Sequence, residues 1–147
     1  MLTVAEAVKT SANDLRSLPT TARSRIDAND VVAPPGYTVE AVAAGLSFPC
    51  GMTLADDGTI FITEGGTTWP TRPWMPPRLL RLDTDGKMRV LAIEEEGGLR
   101  GVAYHNGYVY ATAKGGYTSR VLRFHPKTGE RTVLIDKLPA AVRQFID

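Results

Sequence analysis

The chain has 147 residues, of which 43% are apolar and 22% charged, and a formal net charge of +1. That length and composition suit one globular domain with a sizeable core. The near-zero charge gives no electrostatic basis for a nucleic-acid or anionic-membrane partner, and no apolar run approaches the roughly 18 residues of a membrane helix.

Residues 1–30 read as an N-terminal arm. Leu2, Val4, Ala5, Val8, Leu15 and Leu18 can lie along a short helix, which Pro19 would end, and the Thr20 to Arg25 stretch reads as a linker. The opening residues Met1-Leu2-Thr3-Val4-Ala5-Glu6 show no basic segment followed by an apolar core, so no secretory signal is recognised. Either the protein remains inside the cell or its true start lies elsewhere. Cys50 is the only cysteine, which excludes an intrachain disulfide; between Pro49 and Gly51 it reads as a small buried residue.

From Val31 the chain is expected to fold as a sheet protein. Pro34-Pro35 extends the backbone and Gly36 turns it. Thr38 to Ala43 alternates like a half-buried strand. A pattern then follows that occurs twice. Its copies, Gly51 to Gly66 and Gly101 to Gly116, start roughly 50 residues apart, the spacing of a repeat architecture. In the first copy, Met52 to Leu54, the turn Asp56-Asp57-Gly58 and Thr59 to Thr63 form a hairpin. An excursion from Gly65 to Pro77 carries Trp69, Trp74 and four prolines, after which Arg78 to Asp83, the turn Asp85-Gly86 and Lys87 to Ile93 form a second hairpin. In the second copy, Val102 to Tyr104 and Tyr108 to Thr112 flank Asn106-Gly107, a strong hairpin signal. Arg120 to Phe124, the turn Lys127-Thr128-Gly129 and Glu130 to Ile135 complete the unit, and Leu138-Pro139 repeats the lead-in Phe48-Pro49 as if a third were starting.

Four antiparallel strands make one blade of a β-propeller. The expected fold is therefore all-β: about two four-stranded antiparallel blades of an incomplete ring, near residues 39–93 and 97–135, within a sheet region spanning 31–147. Propellers close with four to eight blades. Two blades imply part of a longer protein, a ring closed by several copies, or a sheet domain that only resembles blades. Open sheet edges also invite self-association.

Blade geometry sorts the polar residues. Asp56, Asp57, Asp85, His105, Asn106, His125 and Lys127 fall on the face that carries the tight turns, and both histidines read as solvated turn residues. Two histidines without a cysteine partner fall short of a zinc ligand set. The opposite, funnel-lining face receives Cys50, Glu64, Glu94, Glu95, Glu96, Arg100 and Lys114. Glu64 and Lys114 occupy equivalent places before a Gly pair, where they either bind a polar ligand or pair with each other. Glu94-Glu95-Glu96 offers oxygens to a hard cation or forms a solvated loop. Trp69 and Trp74 either cover a planar ligand or plug the blade. No nucleophile elbow, phosphate-cradling loop or HExxH motif is present.

Four stretches, Pro35-Gly36-Tyr37-Thr38-Val39-Glu40, Gly45-Leu46-Ser47-Phe48-Pro49, Thr63-Glu64 and Gly97-Gly98-Leu99-Arg100-Gly101-Val102-Ala103-Tyr104-His105, resemble the soluble glucose/sorbosone dehydrogenase family. The resemblance implies a six-bladed propeller that uses pyrroloquinoline quinone and calcium to oxidise aldose sugars, so a small-molecule sugar is the implied partner. It makes Glu64, Glu96, Arg100 and Lys114 the candidate cofactor-binding residues, with Glu96 where the family has a quinone-contacting Gln. The family's catalytic His follows a Leu-Pro pair; here Leu138-Pro139 is followed by Ala140-Ala141-Val142-Arg143-Gln144. The resemblance thus implies an oxidoreductase fold without its general base, whose loss removes about 10²–10⁴-fold in rate. No catalytic and no metal-binding residue is assigned. Two other readings remain open: a non-catalytic binding or scaffold module, and a lactonase-like hydrolase with a funnel metal.

Overall fold

The computed structural model describes residues 31–66, 76–95, 98–115 and 117–140. The arm at 1–30, the Trp69 to Trp74 excursion and Glu96 lie outside the described residues. Eight strands are present among them: β1 (Pro49–Leu54), β2 (Ile60–Glu64), β3 (Arg78–Leu82), β4 (Met88–Ile93), β5 (Gly98–His105), β6 (Tyr108–Gly115), β7 (Thr118–Phe124) and β8 (Arg131–Pro139). They form two four-stranded antiparallel sheets, β1-β2-β3-β4 and β5-β6-β7-β8, each in sequential order. The fold is all-β, with two open blades that do not close a ring and no helix among the described residues.

Local chemistry sets the turns. Asn106 and Gly107 both have positive φ, 47° and 78°, which matches the right-handed twist of the strands they join. The β1–β2 and β3–β4 turns repeat one device. Gly58 N donates to Ala55 O and Gly86 N to Asp83 O, while the carboxylates of Asp57 and Asp85 accept from the amides of Thr59 and Lys87. For Asp57 the Thr59 amide, and for Asp85 the Lys87 side chain followed by its amide, hold the carboxyl below the usual carboxylate range.

The core lies between the sheets. Phe61, Leu79, Leu91 and Ala92 of the first blade pack against Leu99, Val109, Ala111, Ala113, Leu122 and Phe124 of the second. On the first sheet Ile62 and Leu80, in register with each other and alternating with Phe61 and Leu79, are also buried. Polar contacts fix how the blades sit: Tyr104 N donates to Thr53 Oγ1 (3.1 Å), and Arg81 Nη1 to Pro126 O (2.8 Å).

The structure revises two expectations about strands. Thr38 to Ala43 is not a strand, because no neighbouring strand pairs with it; Val39 and Val42 are exposed. Leu138 and Pro139 do not lead into another unit within the described residues. They close β8, opposite Ser119 and Thr118, at a strand end where proline's missing N–H leaves no ladder bond unmade. β8 is also less open to pairing than a bare edge. Two register irregularities interrupt its pairing with β7, and Lys137 turns with φ 56°. Bulges and charges of this kind blunt an edge against a second strand.

Candidate functional site

The end of the sheets away from the tight turns gathers the sequence-derived candidates. There β1 starts, β2 ends, β3 and β5 start and β6 ends. The chains approach closely: a Cβ on Gly98 would stand 2.8 Å from Gly65 O, and one on Gly65 the same distance from Cys50 Sγ. Bulkier residues at these positions would force the strand ends apart.

Glu64 is the best-defined member. It is 1% exposed, directly opposite Arg78 in the β2–β3 register, and Arg78 is equally buried. Arg78 Nε donates to Glu64 Oε2 at 2.6 Å, and Ser47 N donates to Oε1 at 2.5 Å. Arg78 Nη2 lies 2.5 Å from the same Oε2 but off the hydrogen-bonding direction, so it counts as an ion-pair contact and not as an aligned bond. The partner of Glu64 is therefore Arg78, and both carboxylate oxygens are engaged inside the protein.

Glu94 is also fully buried, with both oxygens within 3.0 Å of Arg131 Nη1, so it joins the first blade to the start of β8. Glu95 is exposed, and Lys114 is half-buried at the end of β6. Arg100 is exposed, with Nη1 3.6 Å from Cys50 Sγ, while its carbonyl accepts from Thr63 Oγ1. The buried cysteine expected from the sequence is in fact exposed, because Cys50 lies near the start of β1, where the strand's residues are still open to solvent. A disulfide-exchange reagent should therefore label Cys50 in the native state within minutes. Labelling that required denaturant would place the thiol inside.

Arg78 and Ser47 were missed in the sequence reading. A signal for Arg78 existed: reversing β3 against β2 puts it opposite Glu64. The structure also opens a cleft of about 300 Å³ at the other, turn-bearing end, between the blades, where Asp57, Phe61, Arg81, Tyr104, His125 and Lys127 meet. His125 Nδ1 accepts from the amides of Lys127 and Thr128, both at 3.3 Å, so it orders its own turn. His105 is exposed in the β5–β6 hairpin.

With two open blades and their inner strands β1 and β5 side by side, the architecture can be compared with known proteins. It is similar to solved sugar dehydrogenases. A crystal structure of an oxidoreductase described as a glucose dehydrogenase, from Thermus thermophilus, matches with a TM-score of 0.54 and 25% identity, over 70% of this chain and 33% of that one. The PQQ-bound form of the aldose sugar dehydrogenase from Streptomyces coelicolor matches with a TM-score of 0.53 and 21% identity, over 76% of this chain and 38% of that one. The chain thus spans little more than a third of either neighbour's length. No family model and no curated protein matches it. The likeness is one of fold: a β-propeller dehydrogenase architecture.

The described residues do not fit a quinone and metal site by themselves. Glu64 and Glu94 are sealed by arginines, and no three His, Cys, Asp or Glu side chains come together among the described residues. Arg100 is the exposed charge at this end that an anionic group would meet first.

Proposed function

We propose that this chain forms two adjacent blades of a sugar dehydrogenase-like propeller, an oxidoreductase acting on CH–OH groups of sugars, and that alone it is catalytically inert. The observation that carries the reading is the likeness of both sheets together to the two dehydrogenases. Inertness is supported by the residues that follow Leu138-Pro139, among which no histidine can take a hydroxyl proton. Pyrroloquinoline quinone and calcium are the cofactors this reading expects of a whole ring, and no step through them is assigned to these two blades.

The test adds the quinone and calcium to the purified chain and follows glucose-dependent reduction of a dye acceptor. The expected rate equals that of the cofactors without protein, and turnover above that background would overturn the claim of inertness. Light scattering after size exclusion separates the alternative of a ring built from copies: a discrete trimer would favour a self-assembled module over two blades of a larger dehydrogenase.

A further inference from the structure

The cleft at the turn-bearing end lies away from the candidate residues just described, and its chemistry is different. Its inner wall is apolar: Phe61, 1% exposed, stacks nearly parallel to Tyr104, with ring centroids 6.0 Å apart and 5° between planes. Polar groups from separate turns ring this wall. Asp57 comes from the β1–β2 turn, and His125 and Lys127 come from the β7–β8 turn, while Gly107 of the β5–β6 turn completes the rim. Arg81 at the base is already neutralised, with Nε 2.6 Å from Asp83 Oδ1 and Nη1 on Pro126 O. That leaves one carboxylate and one ammonium as balanced charges at the rim. No partner of the Tyr104 hydroxyl or of the Lys127 ammonium is present among the described residues. His125 accepts at Nδ1, which puts its proton on Nε2 and makes that atom a donor.

We propose that this cleft is a binding site for a small uncharged polyhydroxylated ring, seated with its apolar C–H face on Tyr104 and its hydroxyls on Asp57, His125 and Lys127. The volume stands at the lower end of ligand pockets and limits the occupant to about one ring. The mixed signs at the rim disfavour an anion, which would meet Asp57, and a cation, which would meet Lys127. A ring that is apolar on one face and rich in hydroxyls at its edge satisfies both the aromatic wall and donors and acceptors of either kind. The inference does not depend on the dehydrogenase reading, since no residue is shared between the two ends.

The test is calorimetric or NMR titration of the whole chain with D-glucose and with myo-inositol, with inorganic phosphate as the anionic probe. The expected result is saturable millimolar binding of a neutral ring, weakened about tenfold by Asp57→Asn and by Lys127→Gln. Both variants keep the turns. The amide of Asp57→Asn retains an oxygen to accept from Thr59 N, and the Lys127 bond to His125 is made by its backbone. Arg100→Ala should leave this binding unchanged. Neutral-ring binding lost in Arg100→Ala and kept in Asp57→Asn would move the ligand to the opposite end and overturn the proposal while favouring the dehydrogenase reading. Binding of phosphate alone, or of no probe, would also overturn it.

Discussion

Replacing Glu64 with glutamine lowers the stability of the fold by about 3–5 kcal/mol, the range for breaking a buried ion pair from one side. Glu64 and Arg78 are both 1% exposed, so water cannot take over for either lost partner. The carboxylate does two jobs that an amide cannot combine. It accepts Arg78 on one oxygen and Ser47 N on the other, whereas glutamine has a single oxygen and would turn an NH₂ toward one of these donors. Arg78 would keep its charge in a site that no longer answers it. The double variant Glu64→Leu with Arg78→Met should recover most of the loss, since a well-packed apolar pair removes both desolvation penalties. Urea denaturation of the parent and the two variants measures this through the midpoint at constant slope. A Glu64→Gln protein within about 1 kcal/mol of the parent would sink the idea. If that variant unfolded like the parent yet lost ligand affinity, Glu64 would return to the role the sequence suggested.

That contrast shows what the sequence can reveal and what it hides. The turns were legible because their chemistry is local: Asp57 and Asp85 each hold an amide two residues on, and Asn106-Gly107 adopts the positive φ its hairpin needs. The order and antiparallel pairing of strands followed from those turns. Strand lengths were less legible. Gly98 and Gly101 lower the strand signal at the start of β5, yet pairing of Gly98 with Lys114 brings that segment into the sheet. Thr38 to Ala43 carried the opposite error, an alternating pattern with no strand beside it. The candidate site was legible only as a set of residues at one end. Glu64, Arg100 and Cys50 do gather there, but the roles of Glu64 and Glu94 depend on Arg78 and Arg131, 14 and 37 positions away in sequence. The turn-end cleft was invisible for the same reason: Asp57 and Lys127 come together only once the two blades pack.

Gly129→Ala should cost about 3 kcal/mol or more, because two penalties fall on one position. Gly129 has φ 73°, a left-handed conformation in which a Cβ costs roughly 1–2 kcal/mol. A Cβ there would also be driven into the backbone carbonyl of Leu91 on β4. That carbonyl cannot rotate away as a side chain would, and overpacking a fixed contact adds about 1–3 kcal/mol. Gly86→Ala supplies the control. Its φ is 82°, and nothing lies within 4 Å of the added atom, so only the conformational penalty applies. The difference between the two variants therefore reads the contact of the β7–β8 turn with the first blade. Their unfolding midpoints, measured side by side, should separate by at least the overpacking increment; equal midpoints would mean that the turn is free to shift. The same turn places His125 and Lys127 beside Asp57 and sets Arg131 on Glu94. Gly129→Ala should consequently weaken neutral-ring binding in the cleft, whereas Gly86→Ala, on the β3–β4 turn, should leave it intact. A glycine that binds nothing itself thereby becomes the measure of how firmly the two blades hold the site between them.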